Sequence, residues 1–126
     1  MTIGYITIGY NDEAQAVAFY DALLGSIGYA RGPVEGGWAF YGKADAPSVG
    51  LCKPFDGAAA RGGNGMMVGF KADSQEAVKA AYDAALAHGA TDEGAPGYRP
   101  PEATSGFYGA YVRDAAGNKV CIFTGM

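Results

Sequence analysis

Histidine is almost missing from this chain: His88 is the only one in 126 residues. A metal or acid-base centre built on imidazoles therefore has little to draw on. Cysteine is scarce as well. Cys52 and Cys121 do not make a disulfide scaffold for a chain of this size, and reduced thiols are expected. Charged residues make up only 17%, and 9 Lys and Arg face 13 Asp and Glu, a formal net charge of -4. That balance gives no electrostatic footprint for nucleic acid or an anionic membrane surface; a cationic or neutral partner is easier to accommodate. No apolar run reaches about 18 residues, and the opening MTIGYITI has neither a basic segment nor a small-residue cleavage site. Membrane insertion and secretion are not expected, and the cytoplasm is the default compartment.

What is abundant is apolar side chains and glycine. Hydrophobic residues account for 49%, as in a globular protein, and the length suits one compact domain over residues 1–126. The 21 glycines follow no collagen period, so they read as turns, bulges and points where backbone is closely approached.

The chain carries an internal repeat. Shifted by 62 residues, IGYITIGYND falls on GMMVGFKADS and FYDALL falls on AYDAAL, aligning Tyr20 with Tyr82, Asp21 with Asp83 and Leu24 with Leu86. The shift is close to half the chain, as a duplicated module requires. The first module is expected over about residues 1–57, a glycine-rich connector over about 58–64, and the second module over about 65–126.

Each module opens with an alternating strand: Ile6 and Ile8 against Tyr5 and Thr7, then Met66, Val68 and Phe70 against Met67 and Gly69. A helix follows, from Asn11 or Asp12 to about Leu24 and from Asp73 or Ser74 to about His88, with Gly25 or Gly89 near its end. Val17, Tyr20 and Leu24, and likewise Val78, Tyr82 and Leu86, have the spacing of a sheet-packing stripe. Strand character returns around Gly28 to Val34, Gly37 to Tyr41 and Ser48 to Lys53, then Thr91 to Tyr98, Gly106 to Arg113 and Lys119 to Phe123. The segment from Arg113 to Asn118 reads as a hairpin turn, with Gly117 and Asn118 available for positive φ. The order is β-α-β-β-β, twice: an α+β fold of two tandem modules.

The doubled order, the opening Ile3-Gly4-Tyr5-Ile6 leading to Phe19-Tyr20-Asp21, the middle stretch from Gly63 to Phe70 and the closing stretch from Tyr108 to Val120 resemble the vicinal oxygen chelate superfamily. This group contains glyoxalase I, ring-cleaving dioxygenases, fosfomycin resistance enzymes and bleomycin-resistance proteins. The resemblance covers essentially the whole chain and implies a U-shaped mixed β-sheet cleft with helices outside. It is poor for reaction, since one scaffold hosts isomerases, transferases, oxygenases and binding proteins.

In metal-dependent members the resemblance places histidines where this chain has Tyr5 and Met67, a glutamate at Cys121 and a further carboxylate near Gly50. None of the four is retained. Ionising a tyrosine of pKa about 10 at pH 7 costs roughly 4 kcal/mol, and a cysteine of about 8.5 roughly 2 kcal/mol, before any metal is gained. A thioether is a poor partner for a hard cation. No metal and no other cofactor is therefore expected. His88, in the last helical turn, reads as a helix-end residue rather than a ligand.

The period of 2 puts Tyr5, Thr7, Met67, Gly69, Cys121 and Phe123 on the face opposite the helices, which the resemblance makes the cleft. Gly50, Phe107, Gly109 and Tyr111 join them by the same resemblance, with Trp38 and Phe40 as additions from the first module. The expected ligand-binding residues are Tyr5, Thr7, Trp38, Gly50, Met67, Phe107, Tyr111 and Cys121, a lining that suits a small, partly apolar or aromatic molecule. Tyr5 and Tyr111 read equally well as core or dimer-interface aromatics, and Met67 as gap-filling. Cys121 has no histidine to activate it and reads as a small hydrophobe, although a soft copper(I) site with Met67 is conceivable. The resemblance implies that the proline-rich loop from Ala95 to Ser105 borders the cleft, with Arg99 and Glu102 gating it or touching ligand; a plain surface loop is the commoner reading.

A metal-free small-molecule binder, of the bleomycin-resistance kind, is the expectation. The alternative is a glyoxalase-like lyase or isomerase, or a dioxygenase, acting on a small metabolite. The third possibility is a two-module sheet serving mainly to form a homodimer.

Overall fold

The computed structural model of the chain describes residues 2–126. Eight strands and two helices follow in the expected order: β1 (Tyr5–Gly9), α1 (Glu13–Gly25), β2 (Ala30–Glu35), β3 (Trp38–Gly42), β4 (Ser48–Cys52), β5 (Val68–Lys71), α2 (Gln75–Ala87), β6 (Thr91–Tyr98), β7 (Tyr108–Arg113) and β8 (Lys119–Thr124). The strands form two four-stranded mixed sheets, β1-β4-β3-β2 and β5-β8-β7-β6. In each, the first strand runs parallel to the last, and the remaining pairs are antiparallel.

The 62-residue repeat is visible at the helix starts residue for residue, and at the helix ends with an offset one residue shorter. Asp12 caps α1 by accepting from the Gln15 amide at 2.9 Å, and Ser74 caps α2 by accepting from the Ala77 amide at 3.1 Å. Such a cap satisfies a backbone donor that the first helical turn leaves free, at about 1 kcal/mol. Both helices end on the same bond, Tyr29 N to Leu24 O and Ala90 N to Ala85 O, each 3.0 Å. The left-handed residue of that turn is Gly28 in the first module (φ 97°) and Gly89 in the second (φ 90°). Gly25, expected near the end of α1, is its last helical residue.

Alternation along the strands directs Ile8, Ala39, Tyr41, Val49 and Leu51 of one sheet, and Phe70, Ala110, Val112, Val120 and Ile122 of the other, into one continuous core. The helices supply Phe19, Tyr20, Leu23 and Leu24 from α1, and Val78, Ala81, Tyr82 and Ala85 from α2. Leu86, expected on the buried stripe, lies on the exposed side. Ala81 and Ala85 take its place because their small side chains let α2 lie close against β7 and β8.

The modules meet at their helices, where α1 and α2 touch. The Asn118 amide donates to Gly9 O at 2.9 Å, and Asn11 exchanges two hydrogen bonds with the Ala60 backbone at 2.7 and 3.0 Å. At the hairpin of residues 113–118, Gly117 takes the positive φ (90°) and Asn118 does not; its side chain is engaged with Asp114 and Gly9. Met66 and Met67 precede β5 rather than extending it, held in a turn by Met66 N to Gly63 O at 3.1 Å.

Candidate functional site

With both helices on one side, each sheet presents its other face free of secondary structure. On the first sheet that face carries Tyr5, Thr7, Trp38, Phe40 and Gly50, set by the registers Tyr5 to Ser48, Thr7 to Gly50 and Phe40 to Gly50. Trp38 and Phe40 are stacked (centroids 5.4 Å, interplanar angle 2°), and Tyr5 meets Phe40 edge-on at 6.1 Å. These rings are not core: Tyr5 is 62% exposed, Phe40 43% and Trp38 40%. Gly50 makes the arrangement possible. A Cβ there would stand 2.8 Å from Phe40 Cε1, so only glycine lets the ring lie flat on the strand beside it.

The second sheet repeats the device. Phe107 and Phe123 are stacked (5.5 Å, 13°), with Phe107 over Gly109 and Phe123 over Gly69. Tyr111 is the direct partner of Cys121, which is in turn the partner of Gly69. Arg99 lies over the Tyr111 ring, its guanidinium carbon 5.4 Å from the centroid, and Lys119 Nζ is 5.6 Å from the same centroid. At the seam between the sheets, Thr7 shares a small recess with Met66, Met67 and Lys119.

All eight residues expected in the cleft therefore belong to these open faces or to their seam. Their rings form two separate clusters, one on each sheet. Lys119 was not among them. Its signal was in the sequence all the same: it is two residues before Cys121 on one strand and so faces the same way.

Burial pushes the Cys121 thiol up, against the opposing pull of Tyr111, Arg99 and Lys119. The side chain is 2% exposed, packed beneath Tyr111, so at neutral pH it is a protonated, shielded thiol. Tyr111 is likewise raised, by burial first and by Cys121 next, with Arg99 opposing. His88 follows α2 and lines a recess with Asp12 and Gln15 on the helix side of the molecule, apart from these faces.

The strand registers make Tyr5 and Met67 equivalent, each two residues before the partner of Gly50 or Cys121. These are the four places to which the resemblance assigns the ligands of metal-dependent members. Here they hold an exposed phenol, a thioether, a hydrogen and a buried neutral thiol, a donor set that does not fit a divalent metal. Among the described residues no group of three or more His, Cys, Asp or Glu is placed to hold a metal ion. No helix among them is long and apolar enough to cross a membrane.

Two mixed sheets built from one duplicated βαβββ unit, with helices on one side and open aromatic faces on the other, define a class of protein that sequence comparison places directly. The chain belongs to the Glyoxalase/Bleomycin resistance protein/Dioxygenase superfamily, whose sequence profile matches residues 2–122. It is similar to a glyoxalase/bleomycin resistance protein from Albidiferax ferrireducens T118, 36% identical over 98% of each chain with a TM-score of 0.87. It also shares its fold with a glyoxalase/bleomycin resistance protein/dioxygenase family enzyme from Burkholderia phytofirmans PsJN (21% identical, 98% of each chain, TM-score 0.72). A lactoylglutathione lyase from Agrobacterium tumefaciens has the fold too (22% identical, 98% of this chain and 93% of that one, TM-score 0.65). No curated protein matches the sequence.

Proposed function

We propose that this chain is a metal-independent, cytoplasmic member of its superfamily that binds a small, partly apolar or aromatic molecule on the open faces of its sheets. The observation that carries the reading is the exposed cluster of Tyr5, Phe40 and Trp38, with the Phe40 ring laid over Gly50. Rings held flat and in contact with water lose little side-chain entropy on binding, and stacking on them suits a planar ligand. The glycines beneath are positions where a side chain would fill the space the rings need. Tyr5 and Tyr111 supply hydroxyls for orientation, while Cys121 contributes shape.

The test is a pair of titrations. Planar apolar compounds such as 2-naphthol should change the fluorescence of Trp38, the only tryptophan, with saturation. Zn²⁺, Ni²⁺ and Mn²⁺ should leave the melting temperature where it was, since only a ligand of the native state raises it. A rise at micromolar metal would overturn the reading.

We also propose that the chain forms a homodimer. Support comes from the large apolar side chains left in water outside the ring clusters, among them Ile3, Phe55 and Met66. Light scattering at micromolar concentration should give twice the chain mass of 12.9 kDa, and a monomer would count against pairing.

A further inference from the structure

The overall charge is negative, yet the open face of the second sheet gathers cations. Lys119 lies on it beside Cys121, and Lys71 is paired with Phe123. Arg113 is neutralised by Glu93. Among the described residues no ion pair reaches Arg99 or Lys119. Two uncompensated charges on one tyrosine ring repel each other, and each is held by the ring's negative face rather than by a counterion.

Arg99 is also set in place. Its Nη1 donates to Tyr98 O at 3.0 Å and its Nη2 to Ala95 O at 2.9 Å, both neutral acceptors that leave the charge intact. The guanidinium folds back along β6 over two glycines. A Cβ at Gly94 would meet Nη2 at 3.2 Å and Tyr111 Cδ2 at 3.0 Å, and one at Gly97 would meet Nη1 at 3.1 Å. The strand is kept bare where the side chain lies. Of five N–H donors, two are committed, and the rest are free for a ligand.

We propose that Arg99 and Lys119 bind the anionic group of the ligand, a carboxylate or sulfonate, so that the molecule held by this protein is a flat aromatic anion. The inference rests on the aromatic-face reading above. A guanidinium presents parallel donors that match a carboxylate, and a pre-placed one loses little freedom on binding. The apolar part has its plane nearby: Phe123 is the strand partner of Gly109, two residues along β7 from Tyr111. That is roughly 7 Å along a strand, the span from a carboxylate to the far ring of a bicyclic arene.

Three isosteric probes decide it by calorimetric titration: 2-naphthoate, 2-naphthamide and 2-naphthylmethylammonium. Naphthoate should bind at least about tenfold more tightly than the amide, and the ammonium weakest, because a charged hydrogen bond is about twice as strong as a neutral one. Raising the salt concentration should shrink the acid-to-amide ratio, a readout that needs no variant. In Arg99→Gln, the ratio should fall close to one, and in Lys119→Gln part of the way, with melting temperatures showing that both fold. Equal binding of acid and amide would overturn the anion site and leave the aromatic face standing. Tightest binding of the ammonium would overturn it too. Failure of all three probes to bind would overturn the aromatic-face reading itself, and the anion site with it.

Discussion

The hydroxyl of Tyr20, on α1, donates a 2.6 Å hydrogen bond to Asp114 Oδ2, on the hairpin between β7 and β8, across 94 positions of sequence. Asp114 also accepts from the amides of Ala116 and Asn118 and from the Asn118 side chain. One buried carboxylate thus shapes the second module's last turn and ties it to the first module's helix. Tyr20→Phe removes a single donor while keeping the ring, and should cost about 1–3 kcal/mol. Denaturant unfolding would measure the loss; an unchanged midpoint would show that the tie is idle.

Alkaline pH should unfold the protein before most of its buried tyrosines ionise. Burial, with the Glu13 contact adding to it, pushes Tyr10 up to about 12. Burial and Asp114 push Tyr20 well above its ordinary value, and burial and Asp21 do the same for Tyr41. Each is an acid whose folded value lies above its unfolded value of about 10. Its contribution to stability is complete below pH about 10 and is lost as pH rises through the folded value. Unfolding midpoints should therefore be level from pH 8 to 9.5 and fall above about 10, with a shallower fall in Tyr20→Phe.

The two thiols should react in sequence. Cys52 is half-buried and Cys121 is buried, and burial raises both. A thiol reagent at neutral pH should label Cys52 slowly, and Cys121 only when denaturant opens the fold. Rapid labelling of Cys121 in the native protein would contradict the shielded position under Tyr111.

Two glycine substitutions should separate fold from surface. In Gly62→Ala the new methyl would stand 2.2 Å from the Gly117 carbonyl oxygen, against backbone that cannot yield. A loss of about 3 kcal/mol or more is expected. In Gly50→Ala it would stand 2.8 Å from the exposed edge of Phe40, which can swing outward. That change should cost under about 1 kcal/mol, yet disturb the Trp38 stack enough to shift its emission and weaken 2-naphthol binding.

Trp38→Ala removes the outer half of that stack. Because the ring is 40% exposed, stability should fall by no more than about 1 kcal/mol, while planar ligands weaken by about tenfold. Calorimetry would register equal affinities if the ring were mere surface.

Much of this architecture could be read from the linear chain because its determinants are local. Alternation sets strand faces, a side-chain oxygen three residues ahead of an amide caps a helix, and a duplicated pattern repeats the outcome, which is why Asp12 and Ser74 mark both helix starts 62 residues apart. The same period placed Tyr5, Thr7 and Cys121 opposite the helices, and the resemblance added Gly50. What period alone could not tell was depth. Leu86 and Ala85 sit on adjacent positions of an apolar stripe, and only the closeness of α2 to its sheet buries the alanine and leaves the leucine in water. Trp38 and Phe40 are exposed and Cys121 is buried, although all three point to helix-free faces, because the small thiol lies against the side chain of its strand partner Tyr111 while the two large rings stand out from their strand. The pairing of Tyr20 with Asp114 and the placing of Arg99 and of Lys119 against the Tyr111 ring join elements far apart in sequence. Such contacts are chosen by how two sheets pack and where a loop folds back, and no short-range rule of spacing encodes them.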